Sequence, residues 1–225
     1  MLTLLTATGA RPAAFALCER WMAAQDYAGP VRWLVVDDGP EAQPLALARS
    51  GWSVDVVRPA PLWSPGQNTQ ARNLLAGLAE VGADDRVVVI EDDDWVAPDW
   101  LTHVAGHLDY AELVGERRSR YYNVATRRWR EMGNTGHASL CATAMRGRAL
   151  DTLRQVLRTH RTGIDMRLWH QHRSRHLFDG HRVVGIKGLP GRGGVGAGHR
   201  KDFGTPDPDG RVLRQWIGDD ARAYL

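Results

Sequence analysis

Residues 86–90, Arg-Val-Val-Val-Ile, run directly into four acids, Glu91, Asp92, Asp93 and Asp94. A β-branched run with no polar alternation fits a strand covered on both faces, as in parallel sheets. Such a strand needs helices above and below it. Four adjacent carboxylates repel one another and cannot be buried without partners. They therefore mark the edge where the sheet meets a ligand. One or two acids would suffice to cap the helix that Pro98 opens, so a capping turn does not account for all four.

The rest of the first half supplies the layers. Strand-like runs at 1–7, 31–36 and 52–57 alternate with helix-like segments at 13–24, 43–50, 68–81 and 99–108. Alternation of this kind predicts an α/β fold with a mostly parallel, Rossmann-like sheet flanked by helices. Ligands then bind beyond the carboxyl ends of the strands. Three polar loops share that edge: Thr6 to Arg11, Asp37 to Gly39, and Glu91 to Asp94. The second half is less regular. A strand within 113–124, a hairpin near 126–130 and a strand at 138–145 are expected. Helices at 148–160 and 165–176, a strand at 183–186 and a terminal helix at 212–225 follow. A length of 225 residues fits one domain. It is read as one domain with a regular first half, 1–110, and a less regular second half, 111–225.

Composition narrows the class. Hydrophobic residues make up 43%, too many for a disordered chain. No apolar run approaches the ~18 residues of a membrane span, and the first residues lack the pattern of a signal peptide. A cytoplasmic protein without membrane contact is expected, in the host cytoplasm if a phage encodes it. The two cysteines, Cys18 and Cys141, form no C-x-x-C pair and are expected to be buried thiols. Charge is divided unevenly. Residues 1–116 carry 7 Lys+Arg against 17 Asp+Glu, and residues 117–225 carry 22 against 9. An acidic half suits a metal ion and a basic half a phosphate-bearing partner. Hard carboxylate oxygens suit Mn²⁺ or Mg²⁺.

The stretch from Val87 to Leu101 resembles the DxD region of GT-A glycosyltransferases, family 2 in particular. There a strand ends in acids, and Pro-Asp and an apolar residue follow. The resemblance implies a metal-dependent transferase of hexosyl type, acting on a nucleoside diphosphate sugar such as a UDP-sugar. It makes Asp93 the expected metal ligand, with Asp94 as its alternate. Glu91 and Asp92 would face the ribose or support the ion. Three further segments match in order. Thr6, Ala7, Thr8, Gly9 and Arg11 resemble the opening strand and turn beneath the nucleotide. Asp37 and Asp38 resemble the carboxylates that read the base, although Pro40 replaces the usual Ser. Arg72, in Gln70-Ala71-Arg72-Asn73, resembles a residue that touches base or phosphate. In the second half, Asp165 after Gly163-Ile164 resembles the catalytic base of inverting members, which would deprotonate the acceptor.

Residues 188–198 contain six glycines. Glycines let backbone N–H groups approach phosphate oxygens. Lys187, Arg192 and Arg200 add charge for a diphosphate leaving group, and His199 stands where a late metal ligand would come. His137 and Asn134 are candidates for the acceptor pocket, and Trp63 and Trp95 for the neighbourhood of the site. The segments 117–122 and 127–130 mix arginines with aromatics, which suits a nucleic acid. Hydroxymethylated pyrimidines in DNA, flipped out of the helix, are one expected acceptor. A polysaccharide or small molecule is the alternative, with those arginines solvated. A sugar nucleotidyltransferase and a non-catalytic nucleic-acid-binding module are the competing classes.

Overall fold

The computed structural model describes residues 1–194 and 196–225. In chain order its main elements are β1 (Leu2–Thr8), α1 (Pro12–Ala23), β2 (Val31–Asp37), β3 (Trp52–Val57), α2 (Gln70–Ala79) and β4 (Arg86–Val89). There follow β5 (Trp95–Val96), α3 (Trp100–His107), β6 (Leu113–Glu116), β7 (Arg120–Asn123), β8 (Arg128–Glu131) and β9 (Thr143–Arg146). The chain closes with α4 (Arg148–Thr159), α5 (Ile164–Gln171), β10 (Arg175–Phe178), β11 (Val183–Lys187), β12 (Thr205–Pro206) and α6 (Arg211–Ile217). Among the described residues the strands form two sheets, ordered β10-β6-β9-β4-β1-β2-β3 and β12-β8-β7-β11-β5.

The larger sheet is the expected one. Only β9 runs against its neighbours, β4 and β6; the remaining pairs are parallel. Its central strands are apolar because both faces are covered. Leu4, Trp33 and Val88 join a core with Phe15 and Trp21 of α1. Their neighbours Leu5, Leu34 and Val89 point the other way, against Leu74 of α2 and Leu153 of α4. Gly77 lets α2 lie close to the sheet, since a Cβ there would stand 2.8 Å from a Val36 methyl.

The smaller sheet shares the first core through Trp95, Tyr122, Val184 and Ile186. It positions the site. β5 follows the acidic run directly and pairs antiparallel with β11, Val183 opposite Val96 and Val184 opposite Trp95. β11 therefore advances toward the acids and ends on Lys187.

Several expected elements differ. Residues 43–50 are not a helix. The backbone donors are taken elsewhere. Ala46 and Leu47 donate to Glu19 Oε1 of α1 at 2.6 and 2.5 Å, and Gln43 donates to Asp37. Glu19→Ala is expected to cost ~1–3 kcal/mol through those two orphaned donors. Faster hydrogen exchange at the Ala46 and Leu47 amides, with a lower denaturation midpoint, would register it; unchanged exchange would refute the anchoring. The helix expected at 165–176 stops at Gln171, and Arg175–Phe178 becomes the edge strand β10. The terminal helix breaks at Gly218, whose φ of 59° is left-handed. Among the described residues no helix is long and apolar enough to cross a membrane. Both cysteines are buried free thiols.

Candidate functional site

The carboxyl ends of β1 and β4 meet over the acidic run. Asp92 accepts from the Thr8 hydroxyl at 2.7 Å and from Arg11 at 2.6 Å. Asp93 accepts from the other arm of Arg11 at 2.7 Å. Lys187 Nζ lies 2.8 Å from Asp94, 3.2 Å from Asp93 and 3.4 Å from Glu91. Asp94 also accepts the Ile186 amide, and Glu91 the Gln70 side chain. Burial and charge then divide the acids. Burial pushes the Asp92 carboxyl up to about 6 against the pull of Arg11. Burial also raises Asp93, but Lys187 and Arg11 together outweigh it and hold that carboxyl below the usual range. Burial raises Asp94 well above it despite Lys187.

A divalent cation can be tested against this arrangement. Glu91, Asp94 and Cys141 offer ligand atoms within 4.8 Å of one another. Two are hard carboxylates, but the third is a thiol, which suits Mg²⁺ and Mn²⁺ poorly. The space the carboxylates share already holds the Lys187 ammonium. The expected ligands are engaged as well: Asp93 accepts from both Arg11 and Lys187, and one Asp94 oxygen accepts from Lys187 and Ile186. The other, Oδ2, is buried without a partner. As arranged, the residues seat an ammonium rather than a divalent ion.

A cavity of about 750 Å³ opens beside the acids. Ala7, Thr8, Arg11, Glu91, Asp92 and Asp93 form its inner wall. Asp94 lies beneath it, 1% exposed. Thr6 is turned into the core, where its hydroxyl accepts from Trp33. Arg192, His199 and Lys187 also line the cavity. Burial, with Lys187 adding, lowers His199 to about 4, so its imidazole is neutral.

The expected base-reading acids are occupied. Asp37 accepts from the amides of Gly39 and Gln43 and from Arg58. Asp38 is fully buried and accepts from Thr69, Arg72 and Arg192. Neither is among the residues that line the large cavity. Gly9 touches Asp38 with no room for a Cβ. Arg192 also lies 4.9 Å from the Trp63 ring, and its amide donates to Ala10. Gly191 is required there: its φ is 105°, and a Cβ would come within 2.8 Å of the Ala10 carbonyl. The glycine-rich loop is thus strapped across the β1 turn. A smaller cavity of about 370 Å³ lies on the far side of Arg192, against Trp63 and Gly66.

At the outer end stand Asp165, Met166, Asn134 and His137. Asp165 opens α5 after Gly163. Arg200 is not brought to the site; it is exposed and paired with Asp202. Trp95 is buried and donates to Asp220, so it belongs to the core. Four arginines of the expected nucleic-acid face are tied to the protein itself. Arg117 pairs with Asp179 and Arg120 with Glu131. Arg127 bonds the Leu225 carbonyl and Arg128 those of Phe203 and Gly204.

Residues 17–172, more than half of the chain, match Glycosyl transferase family 2. The chain belongs to this family. A comparison with curated proteins yields no match. Staphylococcus aureus TarS 1-349 in complex with UDP has a TM-score of 0.56 at 10% identity, covering 83% of this chain and 60% of that one. TarS 1-349 in complex with UDP-GlcNAc has a TM-score of 0.56 at 12% identity, covering 100% and 68%. TarS itself gives 0.55 at 11%, covering 83% and 37%. These likenesses establish the GT-A fold. The chain spans less than two thirds of the first TarS chains it matches.

For a family 2 glycosyltransferase, the acids, Arg11 and Asp165 were legible as motifs. Tyr121 and Ser139, which also line the cavity, were not. Lys187 was visible only as loop charge. Its rarity was the available signal, because this chain has two lysines, Lys187 and Lys201.

Proposed function

We propose that this chain transfers a sugar from a nucleoside diphosphate sugar, of the UDP class, to an acceptor hydroxyl. The observation that carries the reading is that one cavity is lined by Glu91, Asp92 and Asp93, by Arg11 and by Asp165. The TarS structures with UDP and UDP-GlcNAc support the choice of donor. Asp165 takes the acceptor proton, and the acceptor oxygen attacks the anomeric carbon. The bond from that carbon to the diphosphate breaks, and the diphosphate leaves with the electron pair. In-line displacement inverts the centre. Arg11 and the loop amides beside Arg192 hold the departing charge. A Mn²⁺ or Mg²⁺ ion at Asp93, Asp94 and His199, as the family resemblance implies, would require Lys187 to leave its place.

The proposed acceptor is a hydroxymethylated pyrimidine in DNA. Arg118, Arg130, Arg161 and Arg167 are exposed. Arg118 and Arg161 are bonded through their backbones to the cavity residues Asn134 and Asn68. Exposed arginines next to residues of a cavity this size suit a polyanion that offers one extruded base. The test incubates the protein with UDP-glucose, UDP-galactose and UDP-GlcNAc, with and without hydroxymethylcytosine DNA, and weighs the DNA by mass spectrometry. A gain of one sugar residue is expected. Transfer to a glycan but not to DNA would replace the acceptor and leave the reaction. Donor neither bound nor cleaved under any condition would remove the reaction, and pyrophosphate release would point to a nucleotidyltransferase.

A further inference from the structure

The acidic run of a nucleotide-sugar site has to be neutralised before a diphosphate can approach it. In this chain the buried Lys187 and the partly buried Arg11 already offset part of that charge. Arg11 spans Asp92 and Asp93, and Lys187 touches Glu91, Asp93 and Asp94. Lys187 is the last residue of β11, where it stands opposite Asn123 of β7, and the neighbouring Ile186 amide donates to Asp94. It is 8% exposed. A Cβ on Gly198 would stand 3.0 Å from its Cγ, so the loop packs on its stem. An ion in the same space would lie next to a fixed positive charge and would repel it.

The choice of residue points the same way. This chain uses arginine almost everywhere and has only two lysines. A guanidinium is a wide planar fork; an ammonium is a compact point charge with three rotatable donors. Three carboxylates converging on one point match the ammonium. Arg11 brings a further donor, since its Nε–H is buried and unpartnered among the described residues. Both side chains line the cavity. A diphosphate entering it would meet two cations already in place.

We propose that Lys187, with Arg11, is the resident cation of the donor site, so that this enzyme binds its nucleoside diphosphate without a divalent metal. The inference rests on the donor reading above. Lys187 takes the electrostatic part that an ion would take: it screens the acids from the diphosphate.

The test is calorimetric titration of the whole chain with ADP, CDP, GDP and UDP, in EDTA and again in millimolar Mn²⁺. Wild-type protein is expected to bind one of them in EDTA, with no gain on adding Mn²⁺. Lys187→Ala is expected to bind that nucleotide ~10- to 100-fold more weakly in EDTA and to recover with Mn²⁺, because the vacated space then holds an ion. A merely structural lysine would give no metal rescue. Lys187→Arg should not substitute, since the fork does not fit three converging oxygens. Wild-type binding seen only with Mn²⁺ overturns the inference and leaves the donor reading standing. No nucleotide bound in either condition overturns the donor reading, and the inference with it. The wild-type titration decides the matter even if Lys187→Ala does not fold.

Discussion

Asp165→Asn is expected to lower the rate of sugar transfer by ~10²- to 10⁴-fold and to leave nucleoside diphosphate affinity unchanged. The substitution keeps the shape of the side chain and removes its ability to accept a proton. Asp165 is half-buried at the first turn of α5, beside Met166 at the mouth of the cavity. Asp165 makes no hydrogen bond or ion pair with the acidic run among the described residues, so removing its charge leaves the groups that would face the diphosphate paired as they are. Single-turnover transfer and donor titration on the same variant distinguish the two roles. A full transfer rate would reduce Asp165 to a residue that merely starts a helix. Equal loss of rate and donor affinity would make it structural.

The parts of this molecule that could be read from residues alone are those with a period. The runs at Leu2, Val31 and Arg86 are apolar because helices cover both faces of their sheet, and no other arrangement accommodates them. The acids after Ile90 stood out because four carboxylates side by side need a reason. The second sheet has no such signature. β7 and β8 are four residues each and half-exposed, and their pairing depends on where β11 returns from a distant part of the chain. The strap is equally silent. Arg192 could be read as charge for a phosphate, but only the fold shows it gripping Asp38 and Thr69. Asp37 and Asp38 were legible as acids at a strand end. Their partners, Arg58, Arg72 and Arg192, lie 21, 34 and 154 positions away, beyond the reach of any local pattern. The segment 43–50 failed for a related reason. Its composition permits a helix, and a single carboxylate on α1, Glu19, claims the amides that would have formed it.

Asp93→Ala is expected to destabilise the protein by ~3–5 kcal/mol, the usual effect of removing one partner of a buried ion pair. Asp93 is 3% exposed and bonded to both Arg11 and Lys187. Its loss leaves two buried cations short of an acceptor. In a chain of this size that corresponds to a fall in Tm of roughly 6–20 °C. The pH dependence gives the sign a second check. Asp93 titrates lower in the folded state than in the unfolded one. It therefore stabilises the fold above the ordinary aspartate value, ~3.9, and that contribution fades as pH falls toward its folded value. Asp92, held at about 6, works in the opposite direction. The folded state keeps a proton there that the unfolded state has lost, so stability declines as pH rises from ~4 to that value. Asp93 adds to the repulsion on Asp92, and removing it should flatten the wild-type decline. Thermal melts of both proteins from pH 2 to 8 should show a gap in Tm that narrows as pH falls below the ordinary aspartate value. A gap that stays constant down to pH 2 would mean that packing, not charge, holds Asp93 in place. No gap at all would mean that Arg11 and Lys187 do not depend on it. With a gap of the expected form, the acid that most resembles a metal ligand would be shown to hold the protein's own cations.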